Sequence, residues 1–380
     1  MRARPPGGVV VKVALDVSAM PPKLAGAGRY VAALANRLGR DVDLTLVTRR
    51  NDRARWAATP EATVVSPVPA HPALRLAYEA VRLGTTGPAR RADVWHGPHY
   101  TMPRTGRTPS VVTIHDLTFF THPEWHEARK VTFFTRAIRY AADNASVLLC
   151  VSETTRDELL ALVPTSQPVL VAPHGVDFSR FTRLGAADEA HLTDAALPID
   201  VPFILFVGTF EPRKGLDILL EAFAELAHDD HVVELWLAGQ SGWGVDGLTA
   251  ALRDHPYAAR IRRLGFVADD LLPVLYRRAR AVAYPSRGEG FGLPVLEALA
   301  CGAPVVTSAD TVMAEVSGAA ASVVPVGDVL AVANALERAL GLSEAEREHV
   351  AQVATHQAGR YTWEASVSTH LAAYELAMRG

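Results

Sequence analysis

Two glutamates eight residues apart, in Glu289-Gly-Phe-Gly-Leu-Pro-Val-Leu-Glu297, are the residues of this chain best suited to chemistry. On one continuous helix that spacing would turn the second about 80° from the first. The glycines and Pro294 argue for a glycine-rich loop carrying Glu289 and a following helix carrying Glu297. Two carboxylates so placed would serve different parts of one ligand. Arg213 and Lys214 form a second group, after a predicted strand, Gly208 and Pro212. A planar guanidinium and a point-charge ammonium would hold a diphosphate and stabilise charge appearing on it as it leaves. A charged helix start at the surface is the other reading of that pair. Gly26 and Gly28 allow either close approach of backbone N–H groups to an anion at a helix N-terminus or an ordinary tight turn. His115, at a predicted strand end beside Asp116, reads as a ligand contact or as a hydrogen-bonded structural residue.

Other chemistries lack their residues. The histidines have no compact metal-binding spacing, so no metal is expected. There is no Gly-x-Ser-x-Gly elbow and no glycine-rich loop ending in Gly-Lys-Ser or Gly-Lys-Thr, which weighs against hydrolases and phosphate-loop ATPases. A net charge of −3 does not favour nucleic acid. Cys150 and Cys301 sit in apolar runs, fitting reduced buried thiols and a cytoplasmic location. The opening Met1–Gly8 is followed by Val9–Leu15 and Asp16 rather than by a signal-peptide core and cleavage site, and no apolar stretch approaches the ~18 residues of a spanning helix.

These groups need elements to position them. A chain of 380 residues, 49% hydrophobic and 21% charged, has material for two cores. Strands are predicted at Val9–Leu15, Leu44–Thr48, Ala92–Trp95, Val111–Ile114 and Val147–Val151, with helices from Gly26 to about Leu38 and over Glu127–Ala142, and Ser152 capping another. The second half repeats the pattern with strands at Phe203–Val207, Glu234–Ala238, Ile261–Leu264, Ala281–Tyr284 and Ala303–Thr307. The fold class is therefore α/β, two Rossmann-like parallel-sheet domains with a site expected in the cleft between them. The expected organisation is an N-terminal domain over 1–180, a connection over 181–200, a second domain over 201–358 and a terminal helix over 359–380 packing back toward the first.

The chain resembles the retaining glycosyltransferases of the two-Rossmann-domain (GT-B) class, group 4, mannosyltransferase-like subgroup, over nearly all of residues 11–380. Pro285-Ser-Arg-Gly-Glu289 through Cys301-Gly-Ala-Pro-Val305 carries most of the likeness, with Phe206 to Gly215 and His115 to Pro123 pointing the same way. The segments Ala172–Asp177 and Tyr361-Thr-Trp363-Glu look like the family's lead into the connection and its terminal helix start. The resemblance implies that Glu289 contacts donor-sugar hydroxyls and Glu297 the ribose, while Arg213 and Lys214 grip the diphosphate. It further implies that Gly26 and Gly28 line the diphosphate, that His115 touches the transferred sugar near its anomeric or C6 side, and that Phe266 and Val267 hold the base. Gly290, Phe291, Gly292 and Leu293 would complete the donor site. Thr209 stands where many relatives have Arg, a change the subgroup often shares, and Ala27 stands where Ile or Val is common. The implied mechanism is metal-independent, without a covalent step assigned to Glu289.

The resemblance implies a nucleotide-sugar donor, GDP-mannose first and UDP- or dTDP-hexose next, and a saccharide or lipid-linked acceptor in surface polysaccharide synthesis. Peripheral contact with the inner membrane face is a further expectation, with Arg49-Arg-Asn-Asp-Arg53-Ala-Arg-Trp56 either a membrane-facing patch or an exposed loop. The aromatic and histidine-rich residues from Trp95 to His126 are expected at the acceptor. A nucleotide-sugar epimerase and a non-catalytic nucleotide-sugar-binding partner are the readings from other classes. The sequence does not give the oligomeric state.

Overall fold

The structure is a computed structural model that describes residues 10–20, 26–71, 74–75, 78, 82–85, 87–185, 188–198, 200–228, 232–242 and 246–380. The opening Met1–Gly8 and Val9 lie outside the described residues. The chain divides into two compact units, Met1–Gly175 with Trp363–Gly380, and Val176–Thr362.

In the first unit, β1 (Lys12–Asp16), β2 (Asp43–Arg49), β3 (Ala62–Val68), β4 (Val94–Gly97), β5 (Ser110–Ile114), β6 (Val147–Cys150) and β7 (Val169–Val171) form one parallel sheet ordered β3-β2-β1-β4-β5-β6-β7. The order reverses between β1 and β4, which is where open α/β sheets leave a crevice at their strand ends. The central strands β1, β4, β5 and β6 are buried on both faces, so they read as apolar runs rather than as alternation. Val13, Leu15, Val111 and Leu149 pack on one face with Leu34 of helix Ala27–Leu38 and Tyr374 of helix Trp363–Arg379. Val112, Ile114, Leu148 and Cys150 pack on the other with Ile138 of helix Ala128–Asn144.

The terminal helix is fixed by a chain of buried hydrogen bonds whose direction follows from one backbone oxygen. Ser366 C=O can only accept, so His370 Nδ1–H donates to it at 2.7 Å. His370 Nε2 then accepts from the Tyr30 hydroxyl at 2.8 Å, and Tyr30 accepts from Thr113 at 3.1 Å. Thr113 in turn accepts from His96 Nε2–H at 2.9 Å, and His96 Nδ1 accepts from the Tyr374 hydroxyl at 2.8 Å. Both histidines are neutral in this arrangement, as burial demands by lowering His96 well below its ordinary value and His370 to about 4.

In the second unit, β8 (Phe203–Val207), β9 (Glu234–Ala238), β10 (Ile261–Gly265), β11 (Ala281–Tyr284), β12 (Val305–Ser308) and β13 (Ser322–Val324) form a parallel sheet ordered β10-β9-β8-β11-β12-β13. Here the order reverses between β8 and β11. The α/β fold of two Rossmann-like sheets is thus observed, and β3, β7 and β13 add to the predicted strands. Residues 181–200, taken from sequence as a connection, include helix Asp188–Asp194, whose Asp188 pairs with Arg277 at 2.6 Å; 186, 187 and 199 lie outside the described residues. No helix among the described residues is long and apolar enough to cross a membrane.

Candidate functional site

The chemically richest cluster stands at the strand ends where the second sheet reverses. The chain leaves β8 through Gly208 and Thr209 and forms a tight 3-10 turn over Pro212–Lys214. Gly215 ends that turn in the left-handed region, φ 66°, and a Cβ there would stand 2.0 Å from the Pro285 carbonyl oxygen. Glycine therefore lets the turn lie against the loop that follows β11. Arg287 N–H and the Ser286 hydroxyl both donate to Arg213 C=O, at 2.7 and 2.9 Å, and Arg287 pairs with Asp217 at 2.6 Å. Two loops remote in sequence are thereby joined as one surface.

On that surface Arg213, Lys214 and Glu289 converge. Arg213 Nη1 donates to Glu289 Oε2 at 2.5 Å and to Gly288 C=O at 3.0 Å, while its Nε donates to Glu211 at 3.0 Å. Lys214 Nζ donates to Glu289 Oε1 and, at 2.7 Å, to the Tyr284 hydroxyl. Tyr284 donates its own proton to Glu289 Oε1 at 3.0 Å. Burial works against the charge on Glu289, but Arg213 and then Lys214 outweigh it and hold the carboxyl at about 2. Burial, reinforced by the Arg213 charge, pulls Lys214 below its ordinary value against the opposing influence of Glu289. Tyr284 is kept a phenol, its pKa raised first by burial and then by the Glu289 charge.

Glu297 occupies the second turn of helix Leu293–Ala300, buried, accepting from the Tyr276 hydroxyl at 3.0 Å. The two glutamates are thus on loop and helix with separate partners, as their spacing suggests. Gly290 is half-buried, Phe291 is buried edge-on to Tyr361 at 5.8 Å, and Gly292, φ 93°, caps the helix that Leu293 and Pro294 begin. Thr209 is half-buried. Phe266, 62% exposed, and half-buried Val267 follow the edge strand β10, two strands from β8.

In the first unit, Gly26 is the exposed N-cap residue of helix Ala27–Leu38 with φ 36°, and Gly28 is buried in its first turn. His115 follows β5 and is buried; its Nε2–H donates to Pro98 C=O at 2.8 Å. Burial lowers its pKa, outweighing that bond and the nearby Asp116 charge. Tyr30, His99, Tyr100 and His174 stand around the imidazole with ring centroids 5.3–5.9 Å away. The structural role of His115 is thus visible, and its Nδ1 is left as the acceptor of a neutral ring. Sequence reasoning missed Tyr284, Ser286 and Glu211 as partners of the charged cluster; a tyrosine and a serine bracketing Pro285 immediately before the glutamate motif were the available signal. In the Arg49–Trp56 segment Arg50 and Arg53 are exposed, whereas the aromatic residue and the first arginine are engaged. Its Trp56 is buried in the first unit's core, and Arg49 is taken up by Asp52 and by Met20 C=O at 2.7 Å. Among the described residues no group of three or more His, Cys, Asp or Glu is disposed to hold a metal.

The chain is similar in sequence and in fold to known proteins. The model of "Glycosyltransferase Family 4" matches residues 24–180, and that of "Glycosyl transferases group 1" matches 189–357. The O-antigen chain mannosyltransferase B of Escherichia coli is 32% identical over 284 residues, 74% of this chain and 74% of that protein. Among solved structures, sucrose-phosphate synthase of Thermosynechococcus elongatus superimposes with a TM-score of 0.76 at 20% identity, covering 96% of this chain and 98% of that one. Anabaena HepE in complex with UDP-glucose does so with 0.73 at 19% identity, covering 95% and 98%.

Proposed function

The chain belongs to the group 4 glycosyltransferases, and on that premise we propose that it is a retaining, metal-independent hexosyltransferase moving mannose from GDP-mannose to a saccharide or lipid-linked saccharide acceptor in surface polysaccharide synthesis. The observation that carries the reading is the convergence of Arg213, Lys214 and Glu289 at the reversal point of the second sheet. That is the position at which an open parallel sheet receives a nucleotide. The choice of mannose rests on the similarity to the O-antigen chain mannosyltransferase, and a nucleotide-sugar donor is in keeping with the fold shared with HepE, which is solved with UDP-glucose. UDP- and dTDP-hexoses are the next candidates for the donor.

In this reading the second unit takes the nucleotide sugar and the first serves the acceptor. Arg213 and Lys214 hold the diphosphate, Glu289 the sugar hydroxyls, and Glu297 the ribose. Thr209 and Gly290–Leu293 line the donor, while Phe266 and Val267 meet the base through backbone groups. Gly26 and Gly28 approach the diphosphate, and His115 touches the transferred sugar. The bond between the anomeric carbon and the β-phosphate oxygen breaks with its electron pair going to phosphate, where the cations stabilise the growing charge. The acceptor oxygen attacks the same face of the oxocarbenium-like carbon, and its proton passes to the departing phosphate. Work at the cytoplasmic face of the inner membrane suits a lipid-linked acceptor.

The test is transfer by the purified protein with GDP-, UDP-, dTDP- and ADP-sugars, each with lipid-linked and simple sugar acceptors, read by nucleotide release and product mass. Acceptor-dependent mannosyl product from GDP-mannose is expected. Tight donor binding with neither release nor product across the panel would favour a non-catalytic partner instead. Donor isomerised without any acceptor would make the protein an epimerase.

A further inference from the structure

The cations assigned to the diphosphate already hold an anion. Glu289 places one carboxylate oxygen on Lys214 and the other on Arg213. The side chains of Arg213, Lys214 and Glu289 are only 20%, 11% and 9% exposed. With Glu211 also on Arg213, two cations face two carboxylates, and the cluster has no net charge to attract a phosphate. A diphosphate that drew on the N–H groups now given to Glu289 would have to take the place of its oxygens. Displacement has a cost, because a buried carboxylate without donors is strongly disfavoured. The remaining hydroxyls close by, Tyr284 at 3.0 Å and Ser286 at 3.3 Å, cannot replace two cationic partners. Sugar hydroxyls can add the missing donors.

We infer that Glu289 is the resident counter-ion of its own phosphate grip, exchanged for the diphosphate only when a sugar arrives to satisfy the released carboxylate. Tyr284 is the positioning residue of the exchange. Its oxygen accepts from Lys214 at 2.7 Å while its proton goes to Glu289, so it touches both partners that must separate. The inference rests on the proposed donor site and deepens it: phosphate capture is coupled to the presence of the sugar. The nucleoside diphosphate left after transfer has no sugar to hold Glu289 away, so the carboxylate returns to the cations and expels it.

Titration calorimetry with GDP, UDP and their mannosyl and glucosyl forms, on the wild type, Glu289→Gln and Tyr284→Phe, tests this. Glutamine keeps the shape but removes the competing charge, so E289Q is expected to bind the bare nucleoside diphosphate about tenfold more tightly, the equivalent of one charged hydrogen bond. Its preference for the sugar-bearing form should collapse at the same time. Y284F removes a hydroxyl that stays beside the displaced carboxylate as a donor, so bare-nucleotide affinity should fall, and this variant reports on the exchange if E289Q does not fold. Wild-type protein that binds donor, with E289Q binding bare nucleotide equally or more weakly, or with Y284F binding it equally or more tightly, would overturn the exchange while leaving the donor site standing. If a folded wild type and both variants bind neither nucleotide nor nucleotide sugar, the donor-site reading fails and the exchange with it.

Discussion

Acid should unfold the first unit well before the second. His96, His115, His174 and His370 are buried there and His99 is half-buried, and each has its pKa lowered, chiefly by removal from water; His99 is pulled to about 3 and His370 to about 4. In the unfolded chain each returns to its ordinary value near 6.5. Below that value the unfolded state takes up protons that the folded state refuses, so stability falls with pH until the folded pKa is passed. At pH 5 the linkage relation gives a loss of about 2 kcal/mol for each of His99 and His370, or about 4 kcal/mol together. Asp16 and Glu158, whose carboxyls burial pushes up, act in the opposite direction. In the second unit Glu289 has the reverse sign: its contribution is full above the ordinary value near 4.5 and is lost only as pH falls toward about 2. Urea titrations at pH 7 and pH 5, read by pulsed hydrogen exchange on peptides from β4–β5 and from β8 and β11, separate the units. With a slope of about 2 kcal/mol per molar urea, the first unit's midpoint should fall by roughly 2 M. His99→Phe, which removes one titrating ring from a site bounded by Tyr100 and Phe134, should shrink that pH difference by that ring's share, about 2 kcal/mol or roughly 1 M in urea midpoint, whatever its effect at pH 7. Equal midpoint shifts in the two units, or an unchanged difference in H99F, would refute the reasoning.

Three further outcomes follow from local geometry. Gly215→Ala must move the loop bearing Arg213 and Lys214 away from Pro285, and a misplacement of this kind should cost roughly 10²-fold in kcat/KM for transfer; retention of wild-type kinetics would show that the turn is not fixed by this contact. Tyr374→Phe removes the donor to His96 Nδ1 and should lower the first unit's stability by about 1–3 kcal/mol, measured by its urea midpoint at pH 7. Arg277→Ala leaves Asp188 without its bidentate partner in a largely buried site and should destabilise the second unit by about 3 kcal/mol, read from β8 and β11 peptides in the same titration.

What was legible in the sequence follows the distance over which each feature is specified. β8, β9 and β11 coincide with their predicted spans because each is a short apolar run ended by polar residues or glycine, a purely local signal. Ser152 likewise caps its helix by accepting from Thr155 N–H three residues on. Glu289 on a loop and Glu297 on a helix could be read from Gly292 and Pro294 between them. The grip itself was half visible: the cations and the carboxylate could be named, but their pairing joins positions 75 and 76 residues apart. Tyr284 was hidden because an aromatic at the end of an apolar strand reads as core, which it also is. The bonds from Tyr30 to His370 and from His96 to Tyr374 span 340 and 278 residues, and no local pattern announces them. β7 and β13, three residues each, are too short for periodicity to register.

The return of the terminal helix to the first unit sets the order in which the molecule can be completed during translation. Trp363, Val367, Ala373, Tyr374 and Ala377 belong to the core begun by β1 and β2, yet they are made after all of Val176–Thr362. At ordinary elongation rates roughly 10–40 s separate Gly175 from Trp363 leaving the peptidyl-transferase centre. For that interval the nascent first sheet has an unfilled face, whereas the later-made unit has every strand of its own sheet in hand as soon as its last segment emerges. The half of the protein synthesised second is therefore the half that can finish folding first.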